Sequence, residues 1–112
     1  MQKHSIMTPT EFDALKVSEP AFMLYFFNDI CGVCHALWPK VEALMKEEFP
    51  KIKLIRVHAN ESLELVGQLR MLSVPGMLLY LDGQEYFRAN GMIGLSELHE
   101  KIARPYGLMF EE

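Results

Sequence analysis

Apolar residues occur in short runs that predict four or five strands. The run Ala21–Phe27 is unbroken and rich in aromatic residues, which predicts a strand buried on both faces. Residues 52–58 alternate in part, and Gly76–Leu81 is again apolar. Residues 84–89 are more polar and predict a strand near the sheet edge. We also expect a short strand at residues 5–7.

Helical patterns lie between these runs. Thr8, Pro9 and Glu11 have the spacing of a capping box with proline in the first turn, so a short helix should begin there. A second apolar stripe predicts a helix from the cysteines to about residue 49, kinked at Pro39. Its members recur at helical spacing: Leu37, Val41, Leu44 and Met45.

Two further helices complete the pattern. Residues 61–72 read as a helix capped by Asn60 or Ser62. Residues 95–102 begin a last helix, with Ser96 as its cap and an apolar stripe of Leu95, Leu98 and Ile102.

The resulting order is β-α-β-α-β-α-β-β-α. Strands that alternate with helices favour parallel pairing through right-handed crossovers. Asp82-Gly83 predicts a hairpin between the last two strands. We therefore predict an α/β fold, with a central mixed β-sheet flanked by helices on both faces, as a single domain over residues 1–112.

Composition narrows the functional classes. Half the residues are apolar and the formal net charge is −4, so a nucleic-acid partner is not expected. No apolar run approaches the roughly 20 residues that span a bilayer, so no membrane partner is expected. The first residues are not followed by an apolar signal region. We expect a cytoplasmic protein, where a close cysteine pair is more often catalytic or metal-binding than structural.

Both cysteines lie in one short stretch between the aromatic strand and the second helix. Cys31 and Cys34 are three positions apart and share one face at the helix start, where a disulfide needs little backbone movement. The unpaired N–H groups and the dipole of a helix N-terminus favour a thiolate at Cys31. Cys34 lies deeper. We predict that Cys31 attacks a substrate and that Cys34 then attacks Cys31.

Several motifs occur along the chain at fixed distances from the two cysteines. They are Phe26-Phe27-Asn28-Asp29-Ile30-Cys31-Gly32-Val33-Cys34, Pro39, Ser73-Val74-Pro75, Asp82-Gly83 and Gly91. With these motifs at these distances, the sequence resembles the thioredoxin family over nearly the whole chain.

The resemblance implies a thioredoxin fold and thiol–disulfide exchange. In the family the proline at the position of Pro75 is cis and faces the disulfide. The implied partners are disulfide-containing protein substrates and an electron-donating reductase or other dithiol donor, with no bound cofactor and a monomeric state. The implied docking surface is apolar and consists of Ile30, Val74, Pro75, Gly91 and Met92.

Some positions depart from the family pattern. Many members have Trp-Cys-Gly-Pro-Cys, whereas Ile30 and Val33 stand here at the Trp and Pro positions. Tyr25 replaces a buried Asp that helps to move the proton of the second thiol. A phenol is a poor base at pH 7, so we expect slower resolution by Cys34. Tyr25, Gly32 and Val33 are the predicted tuning residues. Gly76 replaces a Thr after the cis proline and should loosen that loop.

Two other interpretations remain open. One is a specialised thioredoxin-like protein that serves a single partner, such as a peroxidase or a methionine sulfoxide repair enzyme. The other is a partner-binding or metal-capturing module with little turnover, in which Cys31, Cys34 and His35 join His58 or His4. A helix-start pair supplies only two ligands, so no metal site is assigned. Arg56 is expected to have a surface role.

Overall fold

A computed structural model describes residues 5–110. The helices are α1 (Pro9–Ser18), α2 (Gly32–Glu48), α3 (Leu63–Leu69) and α4 (Leu95–Phe110). The strands are β1 (Ala21–Phe27), β2 (Lys53–His58), β3 (Gly76–Leu81) and β4 (Gln84–Asn90). A short 3-10 turn, Ala59–Glu61, precedes α3.

The four strands form one mixed sheet in the order β2-β1-β3-β4. β1 pairs with β2 in parallel and with β3 antiparallel, and β3 pairs with β4 antiparallel. Every residue of β1 is buried, which confirms the predicted central strand. The register places Tyr25 beside Arg56, and Phe27 beside His58.

Helices cover both faces of the sheet, as predicted. Because side chains alternate along β1, its odd and even positions enter two different cores. On one face α2 and α4 pack over Met23, Tyr25 and Phe27. On the other face α1 and α3 pack over Phe22, Leu24 and Phe26.

Local signals at two turns are confirmed. Glu11 N donates to Thr8 Oγ1 at 3.1 Å, and Thr8 N donates to Glu11 Oε1 at 2.9 Å, which completes the capping box. Asp82 and Gly83 have φ values of 52° and 79° between β3 and β4. This positive-φ pair is the geometry that a two-residue hairpin with right-handed strand twist requires.

Three predicted details are wrong. Residues 5–7 form no strand: Met7 N instead donates to Ser62 Oγ at 3.1 Å. Ser62 occupies the N-cap position of α3, as predicted, but its side chain makes no capping hydrogen bond. α3 is shorter than predicted: it ends at Leu69 and is followed by Arg70 in the left-handed region. Ser96 lies inside α4 rather than at its cap.

Within residues 5–110, no helix is long and apolar enough to cross a bilayer.

Candidate functional site

Cys31 and Cys34 lie at the junction of β1 and α2, where they form a disulfide with Cα atoms 5.2 Å apart. Cys31 occupies the N-cap position of α2, and its Sγ accepts a hydrogen bond from Cys34 N at 3.1 Å. Its carbonyl accepts from His35 N at 3.2 Å. The sulfur of Cys31 therefore lies where a helix presents unpaired N–H groups, which favour an anion.

The two cysteines differ in exposure. Cys31 is partly exposed, whereas Cys34 is 1% exposed and belongs to the core beneath α2. A substrate can therefore reach Cys31, while Cys34 can reach only groups that approach from within the site. The sequence predicted an accessible attacking thiol at Cys31 and a buried resolving thiol at Cys34, and the difference in exposure agrees with that prediction.

Tyr25 lies directly beneath the pair. Its side chain is fully buried, and its hydroxyl donates to the carbonyl oxygen of Cys34 at 2.7 Å. Burial raises the pKa of Tyr25 to about 12, and the charge of Arg56 offsets this only in part. The phenol is therefore neutral at pH 7 and acts as a hydrogen-bond donor that holds the first turn of α2.

Arg56 does not have the surface role predicted from the sequence. Its guanidinium carbon lies 4.5 Å from the ring centre of Phe27 and 4.9 Å from that of Trp38. Its Nε is buried without a hydrogen-bond partner in the described part of the chain. Trp38 in turn packs against Tyr25, with ring centres 5.1 Å apart. A cation held between two aromatic faces thus lies next to the residue that supports Cys34.

The implied cis proline is present. The Val74–Pro75 peptide bond is cis, and Gly91 N donates to Pro75 O at 2.8 Å. Gly91 has φ +108°, a conformation that side chains rarely adopt. The antiparallel pairing of Gly76 with Asn90 brings these two segments together. The structure therefore joins Pro75 and Gly91, as the family spacing implied.

The predicted docking residues differ in their exposure. Ile30 is 91% exposed and Met92 69% exposed, whereas Pro75 is buried and Val74 half-buried. Val33 and Met92 line one open depression of about 250 Å³, together with Ala36, Leu37 and Lys40. Val74 lines a separate depression beside Asn28. Two shallow, mainly apolar surfaces thus lie close to the cysteine segment.

Gly76 does not leave the loop loosely packed, contrary to our expectation. A Cβ at this position would lie 2.5 Å from Met71 Sδ and 3.0 Å from Ser73 O. The side chain of Met71 therefore occupies the space next to the glycine. At Gly32, by contrast, a Cβ would meet nothing within 4 Å, so this position tolerates a side chain.

The histidines near the site do not form a metal cluster with the cysteines. Within residues 5–110, no group of three or more His, Cys, Asp or Glu side chains is placed to hold a metal ion, and His4 lies outside the described residues. His35 is exposed, and its Nε2 lies 3.2 Å from Asp29 O. His58 Nε2 lies 3.0 Å from Asp29 Oδ1.

Sequence reasoning did not identify this Asp29–His58 contact. A signal for it was present. β1 and β2 are adjacent and parallel, so the residue that ends β2 must lie beside the turn that follows β1.

Comparisons with known proteins agree with this architecture. The Thioredoxin family model matches residues 3–104. Thioredoxin-like protein YdfQ of Bacillus subtilis (strain 168) is 31% identical over 105 residues, covering 94% of this chain and 90% of that protein. Thioredoxin 1 of Chlorobaculum tepidum is 23% identical over 101 residues, covering 90% of this chain and all of that protein.

The fold also matches solved structures. Oxidized mitochondrial thioredoxin 3 from Saccharomyces cerevisiae superposes with a TM-score of 0.77 at 21% identity, covering 88% of this chain and 91% of that one. The predicted thioredoxin fold is thereby confirmed. With its cysteine pair at disulfide distance at the start of α2, the chain belongs to the thioredoxin family and is a thiol–disulfide oxidoreductase.

Proposed function

We propose that the protein reduces disulfides in protein substrates through a Cys31/Cys34 dithiol–disulfide cycle. The observation that carries this proposal is the asymmetry of the pair. Cys31 is accessible and its sulfur accepts a helix N–H, whereas Cys34 is buried one turn deeper. Thiol–disulfide exchange needs one thiolate that meets the substrate and a second that meets only the first.

The reaction has two exchange steps. The Cys31 thiolate attacks one sulfur of the substrate disulfide, which forms a mixed disulfide and releases the other substrate sulfur as a thiolate. The Cys34 thiolate then attacks Cys31 Sγ, which forms the Cys31–Cys34 disulfide and releases the second substrate sulfur. Two electrons pass from the dithiol to the substrate.

We assign substrate docking to the apolar surface around Cys31. Exposed apolar side chains on a soluble domain mark contact sites when they adjoin a functional group. An extended substrate segment can pair with the backbone next to a cis proline. The residues assigned to docking are Ile30, Val74, Pro75, Gly91 and Met92, and those assigned to tuning are Tyr25, Gly32 and Val33.

Regeneration of the dithiol completes the proposal. A reductase or another dithiol donor returns the two electrons, and no bound cofactor is required. We further propose that residues 1–112 act as one domain, as a monomer and in the cytoplasm.

Turnover of insulin disulfides tests the proposal. Wild-type protein with a dithiol donor should reduce insulin, and Cys31→Ser should abolish this turnover. Cys34→Ser should instead accumulate substrates as mixed disulfides on Cys31. No turnover by the wild type would favour the binding-module alternative, and a trap that captures one protein would favour the specialised alternative.

The reduction potential tests the direction. Equilibration with glutathione should give a value near that of thioredoxins, about −270 mV. A value near about −120 mV, as in strongly oxidising family folds, would contradict a reductase role.

A further inference from the structure

We propose that Asp29 and His58 are a positioning pair for Cys31, which links the reactivity of Cys31 to the charge of His58. The pair acts by holding the turn at residues 28–30, which connects β1 to Cys31. The inference rests on the proposed attacking role of Cys31.

The turn has little support of its own. Its closing backbone bond, from Cys31 N to Asn28 O, is long at 3.4 Å. The Asp29 side chain is 81% exposed, yet other elements hold this residue at two points. Its carboxylate lies 3.0 Å from His58 Nε2, at the end of β2, and its carbonyl lies 3.2 Å from His35 Nε2, in α2. Both contacts lie two residues before Cys31.

His58 is a fixed partner, because packing rather than Asp29 holds its ring. The residue is 8% exposed, and its ring meets Phe27 edge-on, with centres 5.1 Å apart. Its Nδ1 has no hydrogen-bond partner within residues 5–110. In the described residues the Asp29 carboxylate is therefore the polar group that lies next to the buried His58 imidazole. Attraction between the two holds the turn at residues 28–30 toward the packed ring.

That attraction depends on charge. The Nε2–Oδ1 approach is short but lacks the alignment of a hydrogen bond, so it acts mainly when the imidazole is protonated. Histidine changes charge between about pH 5 and pH 8. The attraction stabilises the turn only modestly, because the Asp29 carboxylate is exposed and solvent screens its charge.

Other titratable or charged residues lie on the elements around Phe27 and His58. Arg56, on the same strand, places its guanidinium across Phe27 and stays charged throughout this range. Glu61 lies in the 3-10 turn that follows His58. His35 lies against Phe27, with ring centres 6.0 Å apart, and can donate to the Asp29 carbonyl in either charge state. The contact that depends on the charge of the His58 imidazole is therefore the one to the Asp29 carboxylate.

The position of this turn affects the position of the Cys31 sulfur. That sulfur has to stay at the N-cap of α2 to keep the N–H of Cys34, and the preceding turn sets the direction from which the chain enters that position. A released turn lets the sulfur leave the helix N-terminus, where its thiolate is favoured. Loss of the pair should therefore slow the attack of Cys31.

Two variants separate position from charge. Asp29→Asn removes a negative charge near Cys31, whereas His58→Gln leaves that charge uncompensated. Through-space electrostatics alone would therefore move the reactivity of Cys31 in opposite directions. Loss of positioning slows both. The matched control is Glu48→Gln, which breaks a second carboxylate–histidine contact, to His99 at 3.5 Å, at the far end of α2.

The readout is the stopped-flow rate at which the reduced protein attacks a small aromatic disulfide, from about pH 5.5 to about pH 8.5. Near pH 5.5 both variants should react about two- to fivefold more slowly than the wild type, and near pH 8.5 the difference should shrink. The double variant should be no slower than the slower single variant, because both remove one interaction. The control should match the wild type.

Rates that move in opposite directions, or that stay unchanged in Asp29→Asn, would overturn the positioning role. Because the Asp29 side chain is exposed, Asp29→Asn should fold normally, and its rate tests the proposal even if His58→Gln folds poorly. The insulin assay on the wild type is independent of these rates. Failure of the proposed reductase function can therefore be told apart from failure of this inference.

Discussion

Tyr25→Phe removes one hydroxyl and keeps the ring that packs on Trp38. The lost interaction is the 2.7 Å hydrogen bond from the phenol to the carbonyl oxygen of Cys34. That carbonyl keeps the N–H of Trp38 as its partner within α2, so no buried polar group is left unpaired. The free energy of unfolding should therefore fall by the net value of one hydrogen bond, about 0.5–1.5 kcal/mol. For a domain of this size the melting temperature should fall by about 2–6 °C.

The rate of resolution should change little, by less than about twofold, because a phenol with a pKa of about 12 takes up no proton near neutral pH. Single-turnover decay of a mixed disulfide on Cys31 measures this rate, and Trp38, the single tryptophan, reports on the melting transition. Tyr86→Phe, at a residue that is 55% exposed, is the matched control for removal of a hydroxyl. A tenfold slower resolution in Tyr25→Phe would refute this reasoning and assign proton transfer to the phenol.

Other substitutions test packing, capping and titration. Gly76→Ala should destabilise the protein by about 1–3 kcal/mol, because its Cβ would overlap Met71, whereas Gly32→Ala should have little effect in the same denaturant titration. Thr8→Ala removes the side-chain cap of α1 and should cost about 1 kcal/mol, measured by chemical unfolding; an unchanged midpoint would mean that the cap contributes nothing. Folding raises the pKa of Tyr25 from 10 to about 12, so its neutral form contributes stability that is present below about pH 10 and lost as pH rises toward 12. Between about pH 10 and pH 12 the free energy of unfolding should therefore fall less steeply with pH in Tyr25→Phe than in the wild type.

The sequence predicted those elements whose signals are local. Seven consecutive apolar residues at Ala21–Phe27 leave no polar face, so they identify a strand covered on both sides. Asp82 and Gly83 identify a hairpin because few other residue pairs accept two positive φ values. Residues 5–7 failed as a strand because three positions carry too little periodicity, and here Met7 bonds to Ser62 beside α3.

The site was predictable only in part. The resemblance to the thioredoxin family related Cys31, Pro75 and Gly91, and the pairing of β3 with β4 places Pro75 beside Gly91. Arg56 was misjudged because its surroundings come from Phe27 on the neighbouring strand and Trp38 on a helix, which no local pattern connects. The effect of Gly76 was misjudged for the same reason, since it depends on where the side chain of Met71 lies.

The disulfide between Cys31 and Cys34 closes a very short loop, with a sequence separation of 3. In a chain-entropy description, a cross-link restricts the unfolded polymer less as the loop that it closes becomes shorter, and a loop of this size contributes about 2 kcal/mol, compared with nearly 5 kcal/mol for a loop of about 100 residues. The two cores on either side of the sheet, rather than the covalent bond, therefore hold the chain together. A protein built in this way can open and close its cross-link at every turnover while its topology stays intact.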